Sequence, residues 1–154
     1  MEKQEARTLL CPSAQPTMEG SVVFGVVAGT ADEPRVAWLE RPVPVTDELL
    51  AMTAPLAPTQ VLRFSAPCAE GKCCHFDGAD CRLANRLVQI MPAVDASLPP
   101  CRIRMNCRWY AQEGRPACMR CPQIVTYSVD PTPELSRAAT PQGHAMPTAA
   151  TQSA

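Results

Sequence analysis

The first half of the chain alternates between apolar runs and breaks that contain proline or glycine, a pattern that predicts short strands. Residues 21–28 (SVVFGVVA) are β-branched and apolar on both faces, which is typical of a buried strand. Residues 35–40 (RVAWLE) follow the turn signal GTADEP and predict the second strand of a hairpin. Thr46 is placed to cap a short helix that runs to Met52, and residues 61–64 (VLRF) predict a third strand.

The second half contains one clear helical pattern. Residues 81–91 (CRLANRLVQIM) carry leucine and isoleucine on one face and arginine on the other, with Asp80 as the expected N-cap. Residues 101–107 (CRIRMNC) alternate cysteine or apolar residues with polar ones, mostly arginine, which predicts a strand with an outward arginine face. Residues 123–129 predict a final strand.

These elements predict an α+β domain with a β-rich N-terminal half and a loop-rich, metal-stabilised cysteine module around one helix. A single domain is expected over residues 21–127, with a scaffold at 21–67 and the cysteine module at 68–121. Residues 1–20 and 128–154 are rich in Pro, Ala, Thr, Gln and Ser, so both are expected to be disordered tails.

The cysteine content changes the picture from packing to chemistry. The chain has nine cysteines among 154 residues, and all but Cys11, in the predicted N-terminal tail, fall between 68 and 121. The N-terminus has no apolar segment of signal-peptide length, and the longest apolar run, Val22 to Ala28, is too short to cross a bilayer. We therefore expect a cytoplasmic protein without membrane association. Thiols in that reducing compartment are more often ligands than disulfides.

The predicted metal ligands are the eight clustered cysteines, which are Cys68, Cys73, Cys74, Cys81, Cys101, Cys107, Cys118 and Cys121. Cys118-x-x-Cys121 lets two thiolates reach one metal, while the other spacings are irregular. Zinc modules usually carry two such short motifs, so the irregular spacing favours an iron–sulfur cluster over zinc. Thiol redox chemistry is the third interpretation. Nearby arginines would stabilise the negative charge of a cluster.

The distance between cysteines along the chain limits how the eight thiols can be assigned to metal sites. An extended segment would hold Cys101 and Cys107 roughly 20 Å apart at 3.3 Å per residue, which places them in different sites. One site would then use Cys68, Cys73 or Cys74, Cys81 and Cys101. The other would use Cys107, Cys118, Cys121 and a fourth donor. If Met105-Asn106 is instead a turn, Cys101 and Cys107 could share one site.

Two further features leave alternatives open. His75 is a possible nitrogen ligand, although a surface or supporting position is the preferred interpretation. Residues 68–121 hold eight basic and five acidic side chains, and the arginines beside Trp109 and Tyr110 could contact nucleic acid. A solvated face and a protein partner of unknown identity are favoured over nucleic acid. No general base is placed by the sequence, so independent catalysis is not predicted.

The motifs CHFxxxxCxL, LPPCRIR, CRWYxQEG and CxxCP resemble a group of small bacterial cysteine-rich proteins without assigned activity, some of them loosely labelled nitrogen fixation proteins. The resemblance covers about residues 21–127 and implies no particular reaction. The predicted function is therefore metal binding, with an iron–sulfur cluster that serves electron transfer or an accessory redox or maturation role. The alternative is a zinc-stabilised module that binds a protein or nucleic-acid partner.

Overall fold

The computed structural model of the protein describes residues 8–30, 33–124 and 133–139. It combines helices with a four-stranded antiparallel sheet, which confirms the α+β class. The strands are β1 (Leu10–Cys11), β2 (Val22–Gly29), β3 (Pro34–Pro44) and β4 (Leu62–Pro67), in the spatial order β1-β4-β2-β3. The helices are α1 (Asp47–Ala51), α2 (Pro58–Val61), α3 (Arg82–Ile90), α4 (Arg108–Glu113), α5 (Arg115–Cys118) and α6 (Pro133–Ala139).

β2 and β3 form the predicted hairpin, and a bulge in β2 shapes its contact with the cysteine module. The register shifts between Val23 and Gly25. A side chain at Gly25 would bring its Cβ within 2.5 Å of Val36 Cγ1, so glycine is required for this close cross-strand approach. Phe24, at the bulge, is buried, and its ring lies 6.0 Å from that of Trp38. Both rings face the cavity described below.

β4 has both edges paired, with β1 and β2, and both of its faces are buried by packing on either side of the sheet. Leu62, Phe64 and Ala66 pack in the core formed by the sheet and α1. Arg63 and Ser65 alternate with them, as the period of a strand requires, and are also buried. Arg63 is therefore directed to the opposite side of the sheet, where the cysteine module lies.

The local predictions for the scaffold hold with small shifts. Thr46 is the N-cap of α1 and its side chain accepts a hydrogen bond from the Leu49 N–H at 3.1 Å. The predicted strand at 61–64 begins one residue later, as β4, because α2 occupies the residues before it. The second hairpin strand continues through Pro42 to Pro44, which an edge strand tolerates.

The cysteine module contains more helix than predicted. The amphipathic helix is present as α3, but its N-cap is Cys81 and not Asp80. The Asp77 carboxylate instead accepts the N–H groups of Ala79 and Asp80, and these bonds close the turn before the helix and lower the Asp77 pKa. The prediction of one helix is wrong, since α4 and α5 follow.

The predicted strand at 101–107 is also wrong. Arg104–Asn106 form a 3-10 turn, in which the N–H groups of Asn106 and Cys107 bond to the carbonyls of Ile103 and Arg104 at 3.0 Å each. The segment thus satisfies its backbone locally. The alternating side chains belong to a turn, which brings Cys101 and Cys107 together.

The prediction of a disordered N-terminal tail is wrong for residues 8–20. β1 pairs with β4, with Cys11 opposite Ala66, and both Pro12 and Ala14 are buried. Backbone pairing needs no large apolar side chain, so the composition of this segment did not reveal it.

The prediction of a disordered C-terminal tail is likewise wrong for residues 133–139. They form α6, which packs on α3 with Ala138 buried, and the Arg86 guanidinium donates to the Ala138 carbonyl at 2.9 Å. Residues 1–7 and 140–154, and the predicted strand beyond Ile124, lie outside the described residues.

Candidate metal centre

Four cysteines of the C-terminal part converge on one cavity. We call them the second thiol set: Cys101, Cys107, Cys118 and Cys121. The turn before α4 places Cys107, α5 ends at Cys118, and a 3-10 turn begins at Cys121. Cys101 and Cys107 both line this cavity, so the extended segment on which the division between two sites depended is absent, and the turn that was its alternative is present.

The cavity of the second thiol set is small and mostly apolar. Its volume is about 20 Å³, and the rings of Phe24, Trp38 and Trp109 contribute to its wall. Burial raises the pKa of the Cys101 thiol to about 11 and that of Cys107 higher still. The thiols are therefore neutral at pH 7 unless a bound cation displaces their protons.

Arg63 lies beside this set, and its guanidinium is almost completely buried. It is 1% exposed and donates to the Cys121 sulfur at 3.1 Å, to the Cys121 carbonyl at 2.8 Å and to the Pro12 carbonyl at 2.7 Å. Its Nε has no hydrogen-bond partner. Within the described ranges, no carboxylate forms an ion pair with it. The guanidinium also lies 5.4 Å from the centre of the Phe24 ring, but all these partners are neutral, so the described residues supply no counter-charge.

Arg104 adds a second guanidinium at the same cavity. It interacts with the Cys118 thiol, which lowers a pKa that burial otherwise raises. Its Nε and Nη2 are buried without hydrogen-bond partners. Three guanidinium nitrogens around the second thiol set, counting Nε of Arg63, thus have donor capacity that the protein itself does not use.

Four other cysteines form what we call the first thiol set, in which three thiols influence the ionisation of the fourth. They are Cys11, Cys68, Cys73 and Cys81. Burial raises the pKa of Cys11 to about 12, and the charges of Cys81, Cys68 and Cys73 raise it further. Coulomb interactions weaken with distance, so we assign these four thiols to one region of the molecule. The sequence analysis missed Cys11, although Cys11-Pro12 repeats the Cys-Pro pair at 121–122.

Backbone contacts assemble the first set from distant segments. β1 brings Cys11 beside β4, and the Cys68 N–H donates to the Leu9 carbonyl at 2.9 Å. The loop from Cys73 returns to Cys81 through a bridge between Phe76 and Cys81. Gln112 of α4 then holds Cys81, accepting its N–H at 2.7 Å and donating to its carbonyl at 2.8 Å.

α4 also supplies donors to the sulfurs of the first set. Arg108 is buried, and its Nε donates to the Cys68 sulfur at 3.0 Å, while Glu70 lies 3.5 Å from its Nη2. The prediction that this arginine belongs to a solvated face is wrong. Burial raises the pKa of the Cys81 thiol, while the backbone N–H groups of Ala84 and Leu83 and the side chain of Trp109 lower it.

Two predicted ligands lie outside these sets. Cys74 is exposed, and its electrostatic contact is with Arg86. His75 has its Nδ1 2.8 Å from Arg86 Nη2, and because a guanidinium can only donate, Nδ1 accepts. That nitrogen is therefore engaged away from the thiols.

The described residues carry nine free cysteines and no disulfide. Among these residues, no three Cys, His, Asp or Glu side chains are arranged to hold a single metal ion. The same residues contain no helix long and apolar enough to cross a membrane.

No family model, curated protein or solved structure matches the chain. The resemblance drawn from the cysteine motifs stays a prediction.

Proposed function

We propose that the protein binds two iron–sulfur clusters, one at each thiol set, and serves electron transfer or an accessory redox role. Each cluster would take four thiolates, in accord with the four cysteines per set. The first set would use Cys11 in place of Cys74.

The buried charge of Arg63 is the observation that carries the proposal. Burying a cation without an anion costs several kcal/mol, and neutral thiols do not offset that cost. A metal centre with four thiolates is anionic, so loading the second set would give Arg63 its counter-charge. At the first set, Arg108 already has the Glu70 carboxylate 3.5 Å from its Nη2, and its Nε donates to the Cys68 sulfur at 3.0 Å, so it would support an anionic centre there as a hydrogen-bond donor.

One detail supports a cluster over a single ion. The inorganic sulfides of a cluster would accept hydrogen bonds from the unpartnered nitrogens of Arg63 and Arg104.

The size of the cavity favours the alternative, a structural zinc ion in the second set. About 20 Å³ is room for roughly one water molecule, which suits one ion better than a core with bridging sulfides. Zinc sites of this kind stabilise modules that bind other macromolecules.

Anaerobic purification followed by metal and sulfide analysis distinguishes an iron–sulfur cluster from a structural zinc ion. We expect a brown protein with about eight iron atoms and acid-labile sulfide per chain, the content of two [4Fe–4S] clusters. A colourless protein that holds stoichiometric zinc and no sulfide would reject the cluster and support the structural alternative.

A further inference from the structure

The two thiol sets are adjacent within one core. Cys81 of the first set and Cys107 and Cys121 of the second belong to the same buried cluster, with Trp109 among them. Trp109 is 2% exposed, lines the cavity of the second set and belongs to the same buried cluster as Cys81 of the first.

Consecutive residues of the chain alternate between the two sets. Cys107 belongs to the second set, while the next residue, Arg108, donates to Cys68 of the first. β1 repeats this arrangement: Cys11 belongs to the first set, and Pro12 lines the cavity of the second. Neighbouring Cα atoms lie about 3.8 Å apart, so only a layer of side chains separates the sets.

We propose that the centres at the two thiol sets couple as one unit and exchange single electrons through the buried segment Cys107–Trp109. This inference rests on the proposed cluster binding. In the exchange, the reduced cluster at one set is oxidised by one electron and the oxidised cluster at the other is reduced by one. No bond forms or breaks and no proton moves. An external one-electron donor supplies the electrons.

The test compares spectra of the full chain with those of chains that keep one centre. The double variant Cys101→Ala/Cys118→Ala would retain the first set, and Cys68→Ala/Cys73→Ala the second. After reduction with dithionite, we expect the electron paramagnetic resonance spectrum of the unmodified protein to be broadened and split by interaction between the clusters. A spectrum equal to the sum of those of the two double variants would overturn the coupling.

Iron and sulfide analysis of the same samples keeps the two proposals distinguishable. About eight iron atoms with an additive spectrum would reject the coupling and leave cluster binding intact. Absence of iron and sulfide from the unmodified protein would overturn both.

A tryptophan pair tests the role of Trp109 without removing any cysteine. Trp109→Phe keeps a ring and loses the N–H near Cys81, so it should lower the midpoint potential of the first centre, because fewer hydrogen bonds then stabilise its added negative charge. Trp38→Phe is the matched control, since Trp38 lines only the cavity of the second set. Equal potentials of the first centre in the two variants would overturn the assignment of Trp109.

Discussion

The two thiol sets differ in how the chain assembles them. The second takes all its cysteines from residues 101–121, where short helices and turns bring them to one cavity. The first takes its cysteines from residues 11–81 and closes only when β1 pairs with β4. A local site can be inferred from spacing in the sequence, whereas a non-local site depends on backbone pairing that leaves little mark on composition. The first set should therefore be the more fragile of the two.

Removing the metal should have the largest effect on the stability of the cysteine module. The core of the module includes three of the thiols themselves, so bound metal should contribute to its stability. We expect chelation to abolish hydrogen-exchange protection in α3, α4 and β1, while the β2–β3 hairpin keeps most of its protection. Equal protection of the module before and after chelation would contradict the prediction.

Replacing Arg63 should have the next largest effect on stability. The direction of that effect should depend on whether the protein holds its metal centres. Arg63→Met leaves an anionic centre without its buried partner, which should cost the loaded protein about 3–5 kcal/mol. In the metal-free protein the same change removes an uncompensated charge, so it should be neutral or stabilising. Urea unfolding of both forms measures this difference. Arg41→Met, at an exposed position of β3, is the control.

The metal-free protein should lose stability as the pH rises above about 9. The folded state holds the pKa of Cys101 at about 11, while an unfolded thiol titrates near 9.0. Between pH 9 and pH 11 the Cys101 thiol keeps its proton in the folded state but loses it in the unfolded state, so stability falls as the pH rises. For this thiol the loss is about 1 kcal/mol from pH 9 to pH 10. Cys107 should add a similar loss.

Below about pH 9 these thiols should not make the stability of the metal-free protein depend on pH. Unfolding in reducing buffer at pH 8, 9 and 10 provides the comparison. Constant stability from pH 8 to pH 10 would show that the thiols are not buried as described.

The smallest effect should come from the scaffold. Thr46→Ala removes the side-chain cap of α1 and should cost about 1 kcal/mol without changing the metal content. Thermal unfolding measures the loss, and metal analysis provides the comparison. A loss of metal in this variant would mean that the scaffold and the thiol sets fold as one unit.

The sequence predicted the elements that depend on local pattern. The β2–β3 hairpin follows from β-branched runs and a turn, and α3 follows from its helical periodicity. Arg63 was not identified because an arginine inside VLRF fits an ordinary half-exposed strand. Its burial depends on β4 lying between two strands with the cysteine module against it, which is tertiary information.

The thiol sets show the same limit. The alternation of residues 101–107 fits a strand, but local hydrogen bonds make it a turn, so the predicted separation of Cys101 and Cys107 is wrong. Cys11 was assigned to a tail because residues 1–20 are rich in polar and small residues and proline, yet β1 holds it by backbone pairing. The choice between Cys73 and Cys74 depends on the exposure of Cys74, which adjacent cysteines do not reveal in sequence.

Metal content of four serine variants tests the division of the thiols most directly. Cys11→Ser should lower the iron at the first set and leave the second loaded, and Cys101→Ser should do the reverse. Each should therefore retain about half of the iron of the unmodified protein. Cys107→Ser should match Cys101→Ser, and Cys74→Ser should retain full content. Full iron in Cys11→Ser together with loss in Cys74→Ser would contradict the account.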